Sequence, residues 1–200
     1  RVEAPAWDER RGVARAVHAQ RIWFGAPGAN APGFELDAAT CRMWPANLQA
    51  VLQVGRILRI PDPMTWQTIR AFKGLEHRLE RVATIRGVHF VNDAKSTTPE
   101  SLLYALDRCP GGVVPIVGGR DKGLQFDVLQ APLAQSRVRG VVLIGESRPK
   151  LRAVLTTPHG AGQAGTPHVQ EAETLEQALE AALGLAQTGD TVLFSPGCAS

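Results

Sequence analysis

Two hundred residues, 44% hydrophobic and 20% charged, describe a globular chain and exclude wholesale disorder, collagen-like repeats and a disulfide-stapled miniprotein. Twenty-two basic residues against nineteen acidic ones leave a net charge of only +3, and the densest basic cluster (Arg10, Arg11, Arg15) adjoins Asp8 and Glu9; no nucleic-acid partner is expected. No apolar run approaches the roughly 20 residues of a membrane span, and no signal peptide opens the chain, so no membrane partner is expected either.

Cys41, Cys109 and Cys198 are odd in number and form no Cys-x-x-Cys pair. That fits reduced thiols and a cytoplasmic location better than a disulfide framework or a zinc site. The chain starts at Arg1 without a methionine and stops at Ser200 inside what reads as an active loop, so a fragment is expected.

In chain order, Val13–Ala19 reads as a helix, Arg21–Phe24 as a strand and Gly25 to Gly33 as a loop. Leu48, Val51, Leu52 and Leu58 recur at helical spacing and predict a helix over Pro45–Leu58. Asp62-Pro63 supplies an N-cap and first-turn proline for a helix through Ala71, closed by Lys73-Gly74. Arg81–Ile85 and Val88–Val91 are β-rich runs joined at Arg86-Gly87, a hairpin signal.

A cadence of strands and helices follows. A helix starts at Pro99 with Thr98 as cap, then come strand Val113–Val117, a helix near Asp127–Ala134, strand Val141–Ile144 and a helix from Pro149 to Leu155. Thr157–Thr166 is a Gly/Ala-rich excursion and reads as a mobile loop. Thr174-x-x-Gln177 reads as a capping box opening a helix to about Gln187, and strand Thr191–Phe194 closes the series. Short continuous apolar strands alternating with helices predict an α/β, Rossmann-like fold with a mostly parallel sheet and helices on both faces. Such sheets bind ligands at the carboxyl ends of their strands, which directs attention to Asn92–Thr98, Gly118–Gly123 and Ser195–Ser200.

Asn92-Asp93-Ala94-Lys95-Ser96-Thr97-Thr98 sets a carboxylate, an ammonium, an amide and three hydroxyls before a helix N-terminus. It reads either as an anion site, with Lys95 as point charge and free backbone N–H groups, or as a capped turn with a solvated Lys–Asp pair. It lacks the spacing of a Walker phosphate loop. In Gly118-Gly119-Arg120-Asp121-Lys122-Gly123 the glycines permit close approach of a ligand and the cations suit a carboxylate or phosphate; the alternative is a turn whose charges pair with each other. Cys198, in the small-residue run Ser195–Ser200, reads as a packed residue rather than a nucleophile. His77-Arg78 is a polar pair at the junction of the two halves, and the other histidines show no metal-ligand spacing.

Phe72-Lys73-Gly74-Leu75-Glu76-His77-Arg78-Leu79-Glu80 resembles the linker into the C-terminal domain of the Mur ligase family. Val91–Glu100, Gly118–Gly123 and Leu193–Ser200 resemble the members of that family that add D-glutamate. The resemblance implies that residues 1–73 are the C-terminal remnant of a central ATP-binding domain. Residues 74–200 would be the Rossmann-like domain that receives the amino acid, truncated at its end.

The resemblance further implies an ATP-dependent ligase of peptidoglycan synthesis. It would join D-glutamate to UDP-N-acetylmuramoyl-L-alanine through an acyl phosphate, acting as a monomer on small molecules, with Mg2+ held by the missing part of the central domain. By the same resemblance, Asn47, His77, Arg78, Asp93 and Lys95 bind nucleotide, and Lys95 and His77 are catalytic. Thr97, Lys122 and Ser200 hold D-glutamate. Trp44 stands where the family usually has a nucleotide-contacting asparagine, and Ala94, Ser96, Thr98 and Gly197 replace Ser, Ala, Asn and Ala. The chain alone is expected to be inactive. A sister amino-acid ligase or a non-catalytic binding module are the alternatives.

Overall fold

The structure, a computed structural model, describes residues 45–157 and 166–199. The expected helix at Val13–Ala19, the strand at Arg21–Phe24, most of the Thr157–Thr166 excursion, Trp44 and Ser200 therefore lie outside the described residues. The described chain divides into two compact units at Lys73/Gly74.

In the first unit, α1 (Pro45–Ile57) and α2 (Asp62–Ala71) bury Leu48, Leu52 and Ile69 together, with Trp66 packed against them. Gly55 lets the helices approach, since a Cβ there would meet Thr65 Oγ1 at 2.9 Å. The end of α1 is closed by paired bonds, Ile60 N–H to Gly55 O (2.8 Å) and Arg59 N–H to Arg56 O (3.0 Å). This is a Schellman arrangement that places Arg59 at φ 57°, a position glycine usually fills. Asp62 is not the cap expected from sequence: Pro61 precedes the helix, and Asp62 lies in its first turn, ion-paired to Arg56 at 3.3 Å.

The second unit is a six-stranded sheet in the order β1-β2-β6-β3-β4-β5. β1 (Glu80–Ile85) and β2 (Val88–Asn92) form the antiparallel hairpin, and every other pairing is parallel. Arg86 and Gly87 both take positive φ (52° and 76°), as a two-residue type I′ turn requires. From β2 the chain runs through α3 (Pro99–Arg108) to β3 (Val113–Val117). A 3-10 turn and α4 (Gln130–Leu133) lead to β4 (Val141–Leu143), and α5 (Arg148–Thr156) to β5 (Val169–Glu171). Then α6 (Leu175–Leu185) returns it to β6 (Thr191–Phe194), which slots between β2 and β3.

Right-handed crossovers dictate the layers. The three steps from β2 to β5 move in one direction and put α3, α4 and α5 on one face, whereas the return step puts α6 on the other. The two cores follow. Leu102, Leu106, Leu129, Leu133, Leu151 and Leu155 pack against Val113, Val117 and Leu193 on the first face. Ala178 and Ala182 of α6 pack against Val114, Ile116 and Val192 on the second. Strand alternation assigns each residue its face, and each fully buried Leu contributes about 1.5–3 kcal/mol.

Pro115 sits mid-strand in the fully buried β3, where a missing N–H should break a ladder. The pairing accommodates it: Val113 bridges Val138 while Ile116 pairs with Val142. The β4 side therefore carries one more residue than β3 here, a bulge beside the proline.

Three further expectations are revised. The helix near Asp127–Ala134 is a 3-10 turn at Asp127–Leu129 followed by four helical residues. β5 was not anticipated from sequence. The Gln177 side chain accepts from Glu173 N–H rather than from the cap residue, although Thr174 does accept from Gln177 N–H. The full reciprocal box is at α3, between Thr98 and Ser101.

Candidate functional site

Parallel strands bring the ends of β2, β6, β3 and β4 to one edge of the sheet, and a chain of hydrogen bonds joins their loops there. Asp93, just past β2, is 4% exposed. Its carboxylate accepts the Leu79 N–H at 3.1 Å, the Ser195 hydroxyl at 2.9 Å and the Ser96 hydroxyl. Ser96 O in turn accepts Gly197 N–H (2.9 Å), Pro196 O accepts Gly118 N–H (2.9 Å), and Ala199 O accepts Arg120 N–H (2.7 Å). Gly119 and Ser147 close the series: Gly119 N–H donates to Ser147 Oγ at 3.1 Å and Ser147 N–H to Gly119 O at 2.9 Å.

Glycines make that proximity possible. Gly118 has φ 124°, and a Cβ on it would meet Ile144 O at 2.0 Å; a Cβ on Gly119 would meet Ala199 O at 2.4 Å. Cys198 is fully buried among these loops, its thiol 3.6 Å from Ser147 Oγ. Burial pushes that thiol up in pKa against the hydrogen bond from Ser147, so it packs rather than attacks.

The same loops carry three cations. Lys95, Arg120 and Lys122 are exposed, and among the described residues no side chain pairs with them. Asp121, the one carboxylate of the β3 loop, is occupied elsewhere: it accepts Gly123 N–H at 2.8 Å and lies 3.7 Å from Lys150. The loop charges thus do not neutralise one another, and Asp93 forms no solvated pair with Lys95. An exposed ammonium, a guanidinium and the Thr97 hydroxyl above a fixed backbone can receive carboxylate or phosphate oxygens.

His77 and Arg78 belong to the segment leading into β1. His77 (φ 63°) and Leu79 (φ 48°) both occupy the left-handed region, held there by His77 N–H to Glu80 Oε2 (2.8 Å) and by Leu79 N–H to Asp93. Asn92 Nδ2 donates to His77 Nδ1 at 2.9 Å, while Asn92 Oδ1 accepts Ala94 N–H at 3.1 Å. His77 O accepts Lys95 N–H at 3.2 Å. The structure therefore brings His77, Asp93, Lys95 and Thr97 into one neighbourhood, and the bridge between Arg120 and Ala199 ties the Lys122 loop to the segment before Ser200. Asn47 is exposed on α1 of the other unit, and Ser200 lies outside the described residues.

Sequence reasoning passed over Ser147, and it placed Asn92 and Ser195 in strand-end loops without giving either a role of its own. The strand-end rule that singled out three loops applies equally to Gly145-Glu146-Ser147 after β4. Among the described residues no group of three His, Cys, Asp or Glu side chains is placed to hold a metal, and no helix is long and apolar enough to cross a membrane.

Residues 77–198 match the family profile described as Mur ligase, glutamate ligase domain. The UDP-N-acetylmuramoylalanine--D-glutamate ligases of Chlorobium luteolum and Geobacter sp. are 41% and 38% identical to the chain over 155 and 154 residues. These alignments cover 78% and 77% of the chain and 32% of each relative. The chain thus spans about a third of the length of the curated relatives it matches.

Among solved structures, the bifunctional folylpolyglutamate synthase/dihydrofolate synthase of Yersinia pestis superposes with a TM-score of 0.60 at 21% identity, over 79% of this chain and 37% of that one. The UDP-N-acetylmuramate-alanine ligase of Thermotoga maritima superposes with a TM-score of 0.55 at 16% identity, over 76% and 34%. At those identities the likeness is one of fold.

Proposed function

The chain belongs to the Mur ligase family, and on that premise we propose that the whole protein is an ATP-dependent ligase that joins D-glutamate to UDP-N-acetylmuramoyl-L-alanine in peptidoglycan synthesis. ATP phosphorylates the substrate carboxylate, releasing ADP and leaving an acyl phosphate. The D-glutamate amine then attacks the acyl carbon, forming the amide and expelling phosphate. The names of the relatives support this reading, as do an ADP complex of a Mur ligase and an AMPPNP and Mn complex of the Yersinia synthase.

The observation that carries the assignment in this chain is the unneutralised β3 loop. Asp121 turns to Lys150 and leaves Arg120 and Lys122 exposed beside the loop that presents Lys95 and Thr97. A dianionic amino acid needs a cation and hydroxyl donors to be held for in-line attack; Lys122, Thr97 and Ser200 fill those roles. In the same reading Asn47, His77, Arg78, Asp93 and Lys95 bind the nucleotide, and Lys95 and His77 are catalytic. Magnesium supplies neutralisation of phosphate charge, and its ligands are assigned outside the described residues. Residues 1–73 are read as the end of the central ATP-binding domain and 74–200 as the domain that receives the amino acid.

Phosphate release by the full-length protein with ATP, magnesium, UDP-N-acetylmuramoyl-L-alanine and an amino-acid panel tests this. Release with D-glutamate alone is expected; release with another amino acid would transfer the protein to a sister activity, and none at all would leave a binding module. Lys122→Ala is expected to raise the KM for D-glutamate by at least about a hundredfold while leaving the KM for ATP near its starting value, the signature of a lost charge-assisted contact to one substrate.

A further inference from the structure

The β3 loop sets a carboxylate between two exposed cations, Arg120 and Lys122, either of which it could neutralise. Asp121 pairs with neither. Its Oδ1 accepts Gly123 N–H at 2.8 Å and lies 3.7 Å from the Lys150 ammonium on α5. Lys150 does more than meet that carboxylate. The same Nζ donates to Leu124 O at 2.6 Å and stands 5.5 Å from the centroid of the Phe126 ring, which is fully buried. One side chain thus reaches a carboxylate, a backbone carbonyl and an anchoring ring, all within residues 121–126.

The lead-in to α5 grips the start of the same loop. Ser147 Oγ accepts Gly119 N–H at 3.1 Å, and Ser147 N–H donates to Gly119 O at 2.9 Å. A Cβ on Gly145 would meet Gly119 Cα at 2.7 Å. The stretch that carries Arg120 and Lys122 is therefore held on both sides by residues 145–150, and of these contacts only those of Lys150 bring a charge. The ion pair itself does little for folding: its side chains are 35% and 32% exposed, and pairs so open to water contribute little. Its consequence lies in how charge is distributed along the loop.

We propose that Lys150 is a positioning residue for the amino-acid substrate: it holds Asp121 away from Arg120 and Lys122 and so keeps their charge for the substrate's carboxylates. The proposal rests on the ligase reading for its kinetic consequence and on geometry alone for its structural one. Without the ammonium, only Gly123 N–H holds Asp121, and the two nearest cations are those of its own loop. A carboxylate turned onto Lys122 takes up the donors that an incoming carboxylate needs and repels it as well. Lys150 therefore acts through Asp121, and its loss should be relieved by removing the charge of Asp121.

The experiment compares Lys150→Met, Asp121→Asn and the double variant in the full-length protein, by steady-state phosphate release and by amide hydrogen exchange at Gly123. Methionine keeps an unbranched side chain over Phe126 and removes the charge. Lys150→Met is expected to raise the D-glutamate KM about tenfold, with the ATP KM within about twofold of wild type. Exchange at Gly123 should quicken as Asp121 turns away. Adding Asp121→Asn should bring the D-glutamate KM back to within about threefold of wild type, because the amide oxygen still accepts Gly123 N–H but carries no charge. The Leu124 bond is lost in both Lys150→Met and the double variant. A defect that Asp121→Asn does not relieve would therefore overturn the proposal and leave Lys150 a structural residue. A raised D-glutamate KM in Asp121→Asn alone would overturn it too. If Lys150→Met does not fold, Lys150→Gln, which keeps a donor for Leu124 O, is read in the same way. If the wild type releases no phosphate with any amino acid, the ligase reading falls by itself. Exchange at Gly123 still reads the hold on Asp121, and exchange unmoved by the Lys150 variants would end the proposal.

Discussion

The two ends of the sheet are each fastened by a buried aspartate, and the two dispose of positive charge in opposite ways. At the amino end, Asp190 is 3% exposed and its carboxylate takes the Arg139 guanidinium at 3.1 Å and Gln187 N–H at 2.9 Å. Gly112 packs so closely beneath it that a Cβ there would meet Asp190 Oδ1 at 2.2 Å. At the carboxyl end, Asp93 is fastened by neutral donors alone, and Lys95, Arg120 and Lys122 stay exposed. One end spends a cation on its own carboxylate, whereas the other keeps its cations for oxygens the chain does not supply. On the proposed reading, stability and ligand binding are thereby separated along the strand axis.

The largest effect expected from breaking this division is at Gly118. Gly118→Ala forces a side chain into Ile144 O at φ 124° and should cost about 3 kcal/mol or more, read as a drop in denaturant midpoint. At the opposite end, Asp190→Ala leaves the Gln187 N–H without its acceptor and should cost about 2 kcal/mol in chemical denaturation, with the KM for each substrate unchanged.

The same pair has a pH signature. Burial opposes the Asp190 carboxylate, but the Gln187 N–H, Arg139 and the Gly112 N–H outweigh it and hold its pKa below the ordinary carboxylate range. A depressed folded pKa means stability that is present above the unfolded value near 4 and lost as pH falls through the folded one. Wild type should therefore lose more stability than Asp190→Asn between about pH 4 and the acid transition, and equal losses would sever the link. The smallest effect sharpens the contrast: Arg86→Asn, in the type I′ turn at the amino end, should stabilise by about 0.5 kcal/mol without altering turnover.

Much of this architecture is legible in the residues. The short, β-branched apolar runs Val113–Val117 and Thr191–Phe194 read as buried strands, and Arg86-Gly87 between β-rich runs reads as a tight turn. β5 escapes notice because Val169-Gln170-Glu171 is three residues long with two of them polar; it is a strand because β4 presents an edge. Arg148 and Arg152 of α5 hold it there through Glu173 (2.5 Å) and Glu171 (2.8 Å). The site divides along the same line. Lys95, Thr97 and Lys122 announce themselves by residue type in strand-end loops. The burial of the Asp93 carboxylate depends on Leu79, Ser96 and Ser195, and Ser195 is 102 residues away; local composition carries no trace of that meeting. Ser147 was hidden for the same reason, its partner Gly119 being 28 residues upstream.

The place of β6 also governs the order in which the molecule can be made. β2 and β3 emerge from synthesis early and lie on either side of a slot that only the last strand can fill. Until Thr191–Phe194 arrives, both present unpaired edges, and the sheet is two separate pieces. Ser195 comes immediately after that strand, so the carboxylate of Asp93 waits through about a hundred residues of translation for one of its donors. Contacts of such long sequence separation slow folding and prolong the exposure of strand edges. A nascent chain stalled before residue 191 should therefore be the form most in need of a chaperone.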